Sequence, residues 1–473
     1  MISFILNNQT INTTQPSGST VLDFVRYHKR LVGTKIGCRE GDCGACTILV
    51  GSFENDKLVY RSMTSCLMPL GNAQGKHIVT VEGINMKELS PVQQAMVDTN
   101  GTQCGFCTIG FVMSLTGFIM NEKAGSYESA IAAIDGNICR CTGYKSIERA
   151  AKILSDNIAG KPGGSGIEWL IDNGFIPSYF IDIEKRLTEL KAVTSTNGIL
   201  NNGELMIGGG TDLVVQKHAL VKRSVTSHLF DAGKLKGIRV ENNQCFVGAS
   251  TTVTEFAESA QIKKIFPLLR DHIKLVSSTP IRNMATMGGN LVNASPIGDM
   301  SIFFLALDAS LLLNNNKTSR TIKLKDFYKA YKETDKAKDE FIEQIIFSIP
   351  KPGSLFNFEK VCKRTYLDIA SVNSACSLQL NDDGSIADAH LSAGGVAPFP
   401  KYLTKTVAYL LGKKPNERTF AEAIEIMNEE IAPISDARGS VAYKRLLLRQ
   451  LFLSHMLYFF DSIDIVTKYL KTA

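Results

Sequence analysis

The alternation of apolar and polar positions divides the chain into stretches of different character. Ile2–Leu6 and the residues after Asn7-Asn8 alternate with a period of two, as paired strands joined by a tight turn do. Thr20 stands ahead of an apolar run that predicts a short capped helix through Arg30. Thr47–Val50 and Ile78–Val81 are β-branched and predict short strands. At Ser90-Pro91, an N-cap followed by proline at the first helical position, the pattern turns helical. Further helical patterns run from Thr108 to Asn121, from Ser126 to Ile134 and from Ser146 to about Asn157. The stretch Gly160-Lys-Pro-Gly-Gly-Ser-Gly166 reads as a flexible linker. Beyond it, strands and helices alternate with Gly-rich turns to about Pro352. Strand patterns at Ser374–Leu380 and Ala387–Leu391 then precede helices that include Tyr443–Leu453. The expected architecture is α+β and multidomain, with divisions at 1–85, 86–158, a linker over 159–175, 176–352 and 353–473.

Composition narrows the class. The 473 residues carry 52 Lys+Arg against 46 Asp+Glu, a net charge of +6 with no dense basic run, which gives no case for nucleic acid. The most apolar stretch, Ile109 to Met120, is too short to span a bilayer and is interrupted by Ser114 and Thr116. Eight of the eleven cysteines fall in the first 141 residues. An odd total argues against a fully paired disulfide framework, and the N-terminus lacks the basic and small-residue signature of a signal peptide. A cytoplasmic chain with clustered reduced thiols points to metal or redox chemistry.

The thiols form two sets. Cys38, Cys43 and Cys46 with distant Cys66 have the C-x4-C-x2-C…C spacing of plant-type 2Fe–2S loops. Gly37, Gly41 and Gly44 are read as positions of positive φ that turn backbone N–H groups toward the sulfurs. Zinc sites use shorter spacings at both ends, so zinc fits this set poorly. Cys104, Cys107, Cys139 and Cys141 form the second set, near helix starts where the macrodipole favours thiolates. Spacing alone leaves zinc open there, because C-x2-C is a common zinc half-site.

The runs Gly37-Cys38-Arg-Glu-Gly-Asp-Cys43-Gly-Ala-Cys46, Gln103-Cys-Gly-Phe-Cys107 and Gly136-Asn-Ile-Cys139-Arg-Cys141-Thr-Gly-Tyr144 closely resemble the iron–sulfur region of the molybdenum hydroxylases. Ile109 departs from it, standing where the family usually has proline. The resemblance implies a β-grasp ferredoxin-like domain and a four-helix domain, each holding a 2Fe–2S cluster. It further implies an FAD domain of the vanillyl-alcohol-oxidase/CO-dehydrogenase flavoprotein type and a C-terminal CO-dehydrogenase flavoprotein-like domain. The second set would hold the cluster next to molybdopterin, with Gln103 hydrogen-bonding that cofactor across a subunit boundary.

Leu205-Met206-Ile207-Gly208-Gly209-Gly210-Thr211-Asp212-Leu213 is an apolar strand entering a Gly-rich turn, and is not G-x-G-x-x-G. Thr286-Met287-Gly288-Gly289-Asn290, leading to Asp299, is a second loop of glycine and hydrogen-bonding residues. Both resemble the FAD domain of the same family, as do Gly394-Gly395-Val-Ala-Pro and Pro433-Ile-Ser-Asp-Ala-Arg-Gly439 its last domain. By that resemblance these loops and Asp299 contact the pyrophosphate and ribityl or ribose parts of FAD, and Ile345 lines the pocket. Lys360 sits near the flavin ring, where a positive charge stabilises reduced flavin; read without the resemblance it is a solvated surface lysine. Val276 stands where some members place an aromatic against the ring, and Leu367 where some place an acid near the nicotinamide site. Most of the seven scattered histidines are expected at the surface or behind other ligands. Cys245, Cys362 and Cys376 are expected as small buried hydrophobes.

The order of domains resembles the iron–sulfur/FAD small subunit of bacterial xanthine dehydrogenases. That implies an oxidoreductase subunit with no substrate-binding catalytic residues of its own. It would pass electrons from a molybdopterin-binding large subunit through two 2Fe–2S clusters to FAD and then NAD⁺ in purine catabolism. The implied assembly is a heterotetramer with two copies of each subunit. The alternatives are the same relay serving an aldehyde or N-heterocycle hydroxylase, and a zinc-bound scaffold without redox chemistry.

Overall fold

The computed structural model describes residues 1–121, 125–159, 161, 166–194, 205–364 and 367–460. They form two compact units: Met1–Asp231 with Ser278–Ala285, and Ala232–Ser277 with Thr286–Ala473. These units cut across the expected span 176–352, because its first part and the short segment 278–285 pack with the cysteine-rich half.

The first unit contains a five-stranded sheet in which Ile2–Leu6 pairs antiparallel with Gln9–Thr13 and parallel with His77–Val79. Thr47–Glu54 then pairs antiparallel with both His77–Val79 and Lys57–Thr64. Asn55 and Asp56 stand at φ 48° and 60°, the left-handed pair that a two-residue hairpin turn requires. Thr20 does cap a helix, accepting from the Asp23 N–H, but helical structure ends at His28 and not at Arg30.

The helical region comprises Pro91–Asp98, Thr108–Asn121, Tyr127–Ala133 and Lys145–Asn157. Ser90 and Gln93 form a reciprocal capping box with Pro91 at the first turn. Every residue from Gly110 to Ile119 is buried. The apolar stretch is therefore a core helix, and among the described residues no helix is long and apolar enough to cross a membrane. Gly117 lets this helix lie close on the sheet: a Cβ there would stand 2.8 Å from Leu49 Cδ2.

Gly160 and residues 162–165 of the Gly-rich stretch lie outside the described residues. The span up to residue 175 is not linker throughout, since Ile167–Asp172 is a helix. Leu170, Phe175, Ile176 and Phe180 join the core of the helical region, and Trp169 stacks on Phe175 with centroids 5.6 Å apart.

In the second unit a five-stranded sheet runs Ser319–Lys323, Ser310–Asn314, Phe341–Ser348, Gln244–Gly248, Ile238–Glu241. A four-stranded antiparallel sheet comes next, from Leu355–Val361 through Val372–Leu380 and Ile386–Gly394 to Lys401–Tyr402. The helix Asp299–Leu305 packs on the latter, with Ser392 Oγ donating to the Ile302 carbonyl at 2.7 Å. Val441–Phe459 packs on Leu355–Val361 and Val372–Leu380, and is longer at both ends than the sequence pattern marks.

Three histidines are exceptions to the surface expectation. His77, His272 and His455 are buried. His77 receives the Tyr60 hydroxyl at Nδ1 (2.8 Å) and donates from Nε2 to the Asn7 carbonyl (2.9 Å), so the neutral ring satisfies both neighbours. Burial, aided by the charge of Arg186, lowers its pKa to about 3. The unfolded chain takes up that proton near pH 6.5 and the folded one does not, so the contribution to stability is complete above that pH and is lost as pH falls toward about 3. His77 stands 5.3 Å from Phe180, which shares a core with the chain's one tryptophan. Urea unfolding monitored by Trp169 fluorescence should therefore weaken from pH 7 to pH 5 by up to about 2 kcal/mol through this residue. His77→Gln should remove that part of the slope, and an unchanged slope would assign it to other groups.

Candidate functional site

The first cysteine loop connects the helix Phe24–His28 to the strand Thr47–Glu54, and Cys66 lies in the turn after Lys57–Thr64. The sulfurs meet in twos. Cys38 is hydrogen-bonded to Cys43, and Cys46 to Cys66. The Cys38 N–H donates to Cys43 Sγ at 3.4 Å, and the Glu40 N–H to Cys38 Sγ at 3.3 Å. Cys43 with the N–H groups of Glu40, Cys43 and Asp42 pulls the Cys38 thiol down to about 5 against its burial. Cys66 likewise lowers Cys46, while Cys43 and Cys66 are pushed up by the partners they share a proton with. Cys46 and Cys66 are buried; Cys38 and Cys43 are half-buried.

The glycines act differently from one another. Gly41 and Gly44 have φ of 83° and 67° as expected. Gly37 does not have positive φ; its requirement is space, because a Cβ would sit 2.5 Å from Cys43 Sγ. Between Cys38 and Cys46 the third left-handed residue is Arg39, at φ 58°.

The second set behaves in the same way. Cys104 is hydrogen-bonded to Cys141, and Cys107 to Cys139. Cys107 is pushed up to about 12, first by burial and then by Cys139. Burial also acts to raise Cys139, but Thr142, Cys107 and the Cys141 N–H together lower it, and Thr142 Oγ1 lies 3.1 Å from its sulfur. The Cys139 N–H donates to the Tyr144 hydroxyl at 3.1 Å, and Tyr144 takes φ 67° at the start of the helix Lys145–Asn157. Ile109 lies inside a helix that begins at Thr108, so that helix forms without proline there. Gln103, Cys104 and Cys141 are exposed. Among the described residues no group of three or more His, Cys, Asp or Glu is arranged to hold a single metal ion. Two couples per set suit a two-iron cluster, in which each iron takes two thiolates.

The two loops touch. The Ile138 N–H donates to the Cys43 carbonyl at 3.0 Å, and Asn137 Nδ2 to the Gly44 carbonyl at 3.2 Å. Ser114 Oγ holds the other end of the Asn137 amide at 2.7 Å. A Cβ on Gly44 would stand 2.3 Å from the Gly136 carbonyl oxygen. The Asn137 clasp is a functional feature that sequence reasoning misses, although the residue lies inside the second cysteine motif.

The segment 278–285 closes over both loops. Arg282 Nη2 pairs with Asp135 Oδ2 at 2.9 Å, and Asp135 Oδ1 accepts the Thr279 N–H at 2.8 Å. A Cβ on Gly41 would lie 2.8 Å from Ile281 Cδ1.

The expected flavin residues fall in both units. In the first, Leu205–Ile207 pairs parallel with Thr226–His228, and Ile207 is part of the core. Gly208 offers its carbonyl to Asn72 Nδ2 at 2.9 Å. Gly209 lies so close to Met284 that a Cβ would be 1.8 Å from its carbonyl oxygen, and Gly210 has φ 86°. Thr211 is half-buried, while Asp212 is exposed ahead of the helix Leu213–Arg223.

In the second unit Thr286 caps the helix Met287–Asn293, its hydroxyl accepting the Gly289 N–H at 3.2 Å. The N–H groups of Met287 and Gly288 bond to the Thr251 and Ala249 carbonyls at 2.9 and 2.8 Å. Asn290 Oδ1 accepts from the Ser301 N–H and hydroxyl, both at 3.2 Å. Lys360 is not a solvated lysine: its side chain is 1% exposed and pairs with Asp299 at 2.8 Å. Its ammonium also donates to the Leu275 carbonyl at 2.8 Å, next to buried Val276. Asn373, which no motif marks, donates to Asp299 at 2.6 Å, and its own Oδ1 is buried without a hydrogen-bond partner among the described residues. Ile345 is fully buried in the sheet against Leu311 and Val247. Leu367 takes φ 75°. Cys245 and Cys376 are buried as expected, but Cys362 is only half-buried.

This arrangement matches known domains along most of the chain. Residues 4–70 match the 2Fe-2S iron-sulfur cluster binding domain, and 80–152 the 2Fe-2S binding domain. Residues 185–352 match the FAD binding domain in molybdopterin dehydrogenase, and 358–458 the CO dehydrogenase flavoprotein C-terminal domain. The chain is thus an iron–sulfur flavoprotein with two 2Fe–2S domains and an FAD-binding domain. Its FAD-binding domain is of the kind found in molybdopterin dehydrogenases. Xanthine dehydrogenase of Blastobotrys adeninivorans is 28% identical over 95% of this chain and 40% of its own length. That of Emericella nidulans is 30% identical over 87% of this chain and 35% of its own. The chain thus spans 35 to 40% of the length of these curated relatives. Carbon monoxide dehydrogenase from Hydrogenophaga pseudoflava shares the fold, with a TM-score of 0.52 at 23% identity over 55% of this chain and 91% of that one.

The crowding at Gly37 gives a direct test. Gly37→Ala should lower iron from about four to about two atoms per chain while flavin is retained. Iron and flavin analysis with electron paramagnetic resonance checks this, and full iron content in the variant would show that the loop can move aside.

Proposed function

We propose that this chain is the electron-transfer part of a xanthine dehydrogenase, working with a molybdopterin-binding partner subunit in the cytoplasm. Cys38, Cys43, Cys46 and Cys66 would hold one 2Fe–2S cluster, and Cys104, Cys107, Cys139 and Cys141 the other. When bound, the clusters carry electrons singly and the flavin collects them in pairs for NAD⁺.

The observation that carries this reading is the pairing and contact of the two thiol sets within one unit. A scaffold needs no such contact, whereas a relay needs its carriers close together. The outer set supports the partner assignment: Gln103, Cys104 and Cys141 are exposed beside Phe106, 47% exposed, and Tyr144, 36% exposed. Exposed aromatics next to sulfur ligands suit a surface that a partner covers. Gln103 would meet the partner's cofactor there.

Gly208–Leu213, Thr286–Asn290 and Asp299 would hold FAD, and Lys360 would supply positive charge on the flavin side. Its pairing with Asp299 and the Leu275 carbonyl keeps that charge in place without water. Xanthine as the partner's substrate, and NAD⁺ as acceptor, rest on the names of the relatives.

Purified chain should be coloured and contain about four iron atoms and one flavin. It should reduce an artificial dye with NADH unaided, and co-expressed with its partner it should oxidise xanthine with NAD⁺. Cys43→Ser should abolish the xanthine reaction and leave NADH-dependent dye reduction. Zinc in place of iron and no flavin would sink the reading; activity on an aldehyde or N-heterocycle but not xanthine would replace only the substrate.

A further inference from the structure

Beside the first cysteine loop lies a cavity of about 600 Å³, formed entirely within the first unit and unused by the relay. Its size is that of a small-molecule site. Four basic side chains reach it: His28, Arg39, His218 and Lys222. Phe24 and Tyr27 supply flat apolar walls, and Tyr27 is 62% exposed. Asp23 is the one acid in the lining, and it is engaged by Arg39 at 2.8 Å, with His218 at 3.9 Å. Among the described residues Lys222 has no ion-pair partner.

We infer that this cavity binds a phosphate-bearing small molecule with an aromatic ring, of the nucleotide class, and that binding tunes the first cluster. Lys222 and Arg39 take the phosphate as cations, and His218 adds a ring N–H donor, around a single, already paired carboxylate. Tyr27 gives the ring a face to stack on.

The route to the cluster is Arg39 itself. Its backbone lies between Cys38 and Glu40 in the left-handed region at φ 58°, which a non-glycine residue holds only when its surroundings fix it. The Asp23 ion pair fixes the side chain, and the next N–H, that of Glu40, donates to Cys38 Sγ at 3.3 Å. A phosphate competing with Asp23 for Arg39 adds negative charge near the sulfurs and disturbs that N–H donor. Both effects make the cluster harder to reduce. This redox consequence rests on the relay proposed for the chain; the binding does not.

Isothermal titration of the full chain with AMP and with inorganic phosphate tests the binding at low salt. Saturable binding of AMP is expected, weakened about tenfold or more by Lys222→Glu. Tyr27→Ala should weaken AMP several-fold and leave phosphate unchanged. AMP binding indifferent to both variants would place the nucleotide elsewhere and overturn the site, as would no binding of either probe. AMP binding no tighter than that of phosphate, and unweakened by Tyr27→Ala while still weakened by Lys222→Glu, would overturn the nucleotide class. In a redox titration monitored by electron paramagnetic resonance, AMP should lower the midpoint potential of one cluster only, and not in Lys222→Glu. Saturable binding with both potentials fixed would overturn the coupling. A chain that assembles no clusters would instead defeat the relay, and the titration with AMP would still be readable.

Discussion

The approach of one cysteine loop to the other is the constraint on which the cluster half of this molecule depends. Gly44 lies against the Gly136 carbonyl where a single methyl group would stand 2.3 Å from oxygen. Only there can the Ile138 N–H reach the Cys43 carbonyl and bring Cys139 within one hydrogen bond of the other loop. Gly110, on the buried helix, extends the same demand, since its Cβ would lie 2.2 Å from the Gly44 carbonyl oxygen. Gly44 and Gly110, from two elements, thus remove bulk at one point, and Gly136 meets them there through its carbonyl. Ser114 and Asn137 then supply buried hydrogen bonds that tie the helix to both loops. Interiors of this density tolerate little change in volume, so the spacing of the loops is set by packing and not by any one bond.

The second unit solves a different problem, which is how to keep a charge dry. Lys360 is almost wholly removed from solvent, and a lone buried ammonium would be costly. Asp299 and the Leu275 carbonyl satisfy it, and Asn373 in turn holds the other carboxylate oxygen. The helix Asp299–Leu305 begins at that carboxylate, where the macrodipole favours negative charge. The pair is therefore anchored to a strand, a helix start and a loop carbonyl at once.

How much of this is legible in sequence depends on how local each determinant is. The cysteine sets are legible because the ligands of one loop lie within a few residues, and the capping box at Ser90 and the N-cap at Thr20 are legible for the same reason. Gly37 misleads as to cause: a glycine needed for space against Cys43 Sγ looks the same in a sequence as one needed for its φ. The segment Thr279–Arg282 cannot be placed with the cysteine loops, because its contacts with Asp135 and Ala132 span 144 to 147 positions. His77 and Lys360 mislead alike. A polar residue reads as surface until its partners are known, and Tyr60, Asn7 and Asp299 are brought to them only by the fold. The helix at Ile167–Asp172 is hidden by the Gly-rich stretch before it, though Trp169, Leu170 and Phe175 carry the apolar signal.

The loop Thr286–Asn290 shows why motif residues need not be the groups that touch a ligand. The Thr286 hydroxyl caps its own helix, the Met287 and Gly288 N–H groups bond to neighbouring loop carbonyls, and the Asn290 side-chain oxygen binds Ser301. Gly289 is the exposed residue of the five. The polar side chains thus hold the backbone in one conformation, and a ligand would meet a surface of main chain at Gly289. Any side chain there adds bulk without adding a hydrogen bond, whereas a change at Thr286 or Asn290 releases the loop that presents it. The chemistry of such a loop lies in the rigidity its side chains impose.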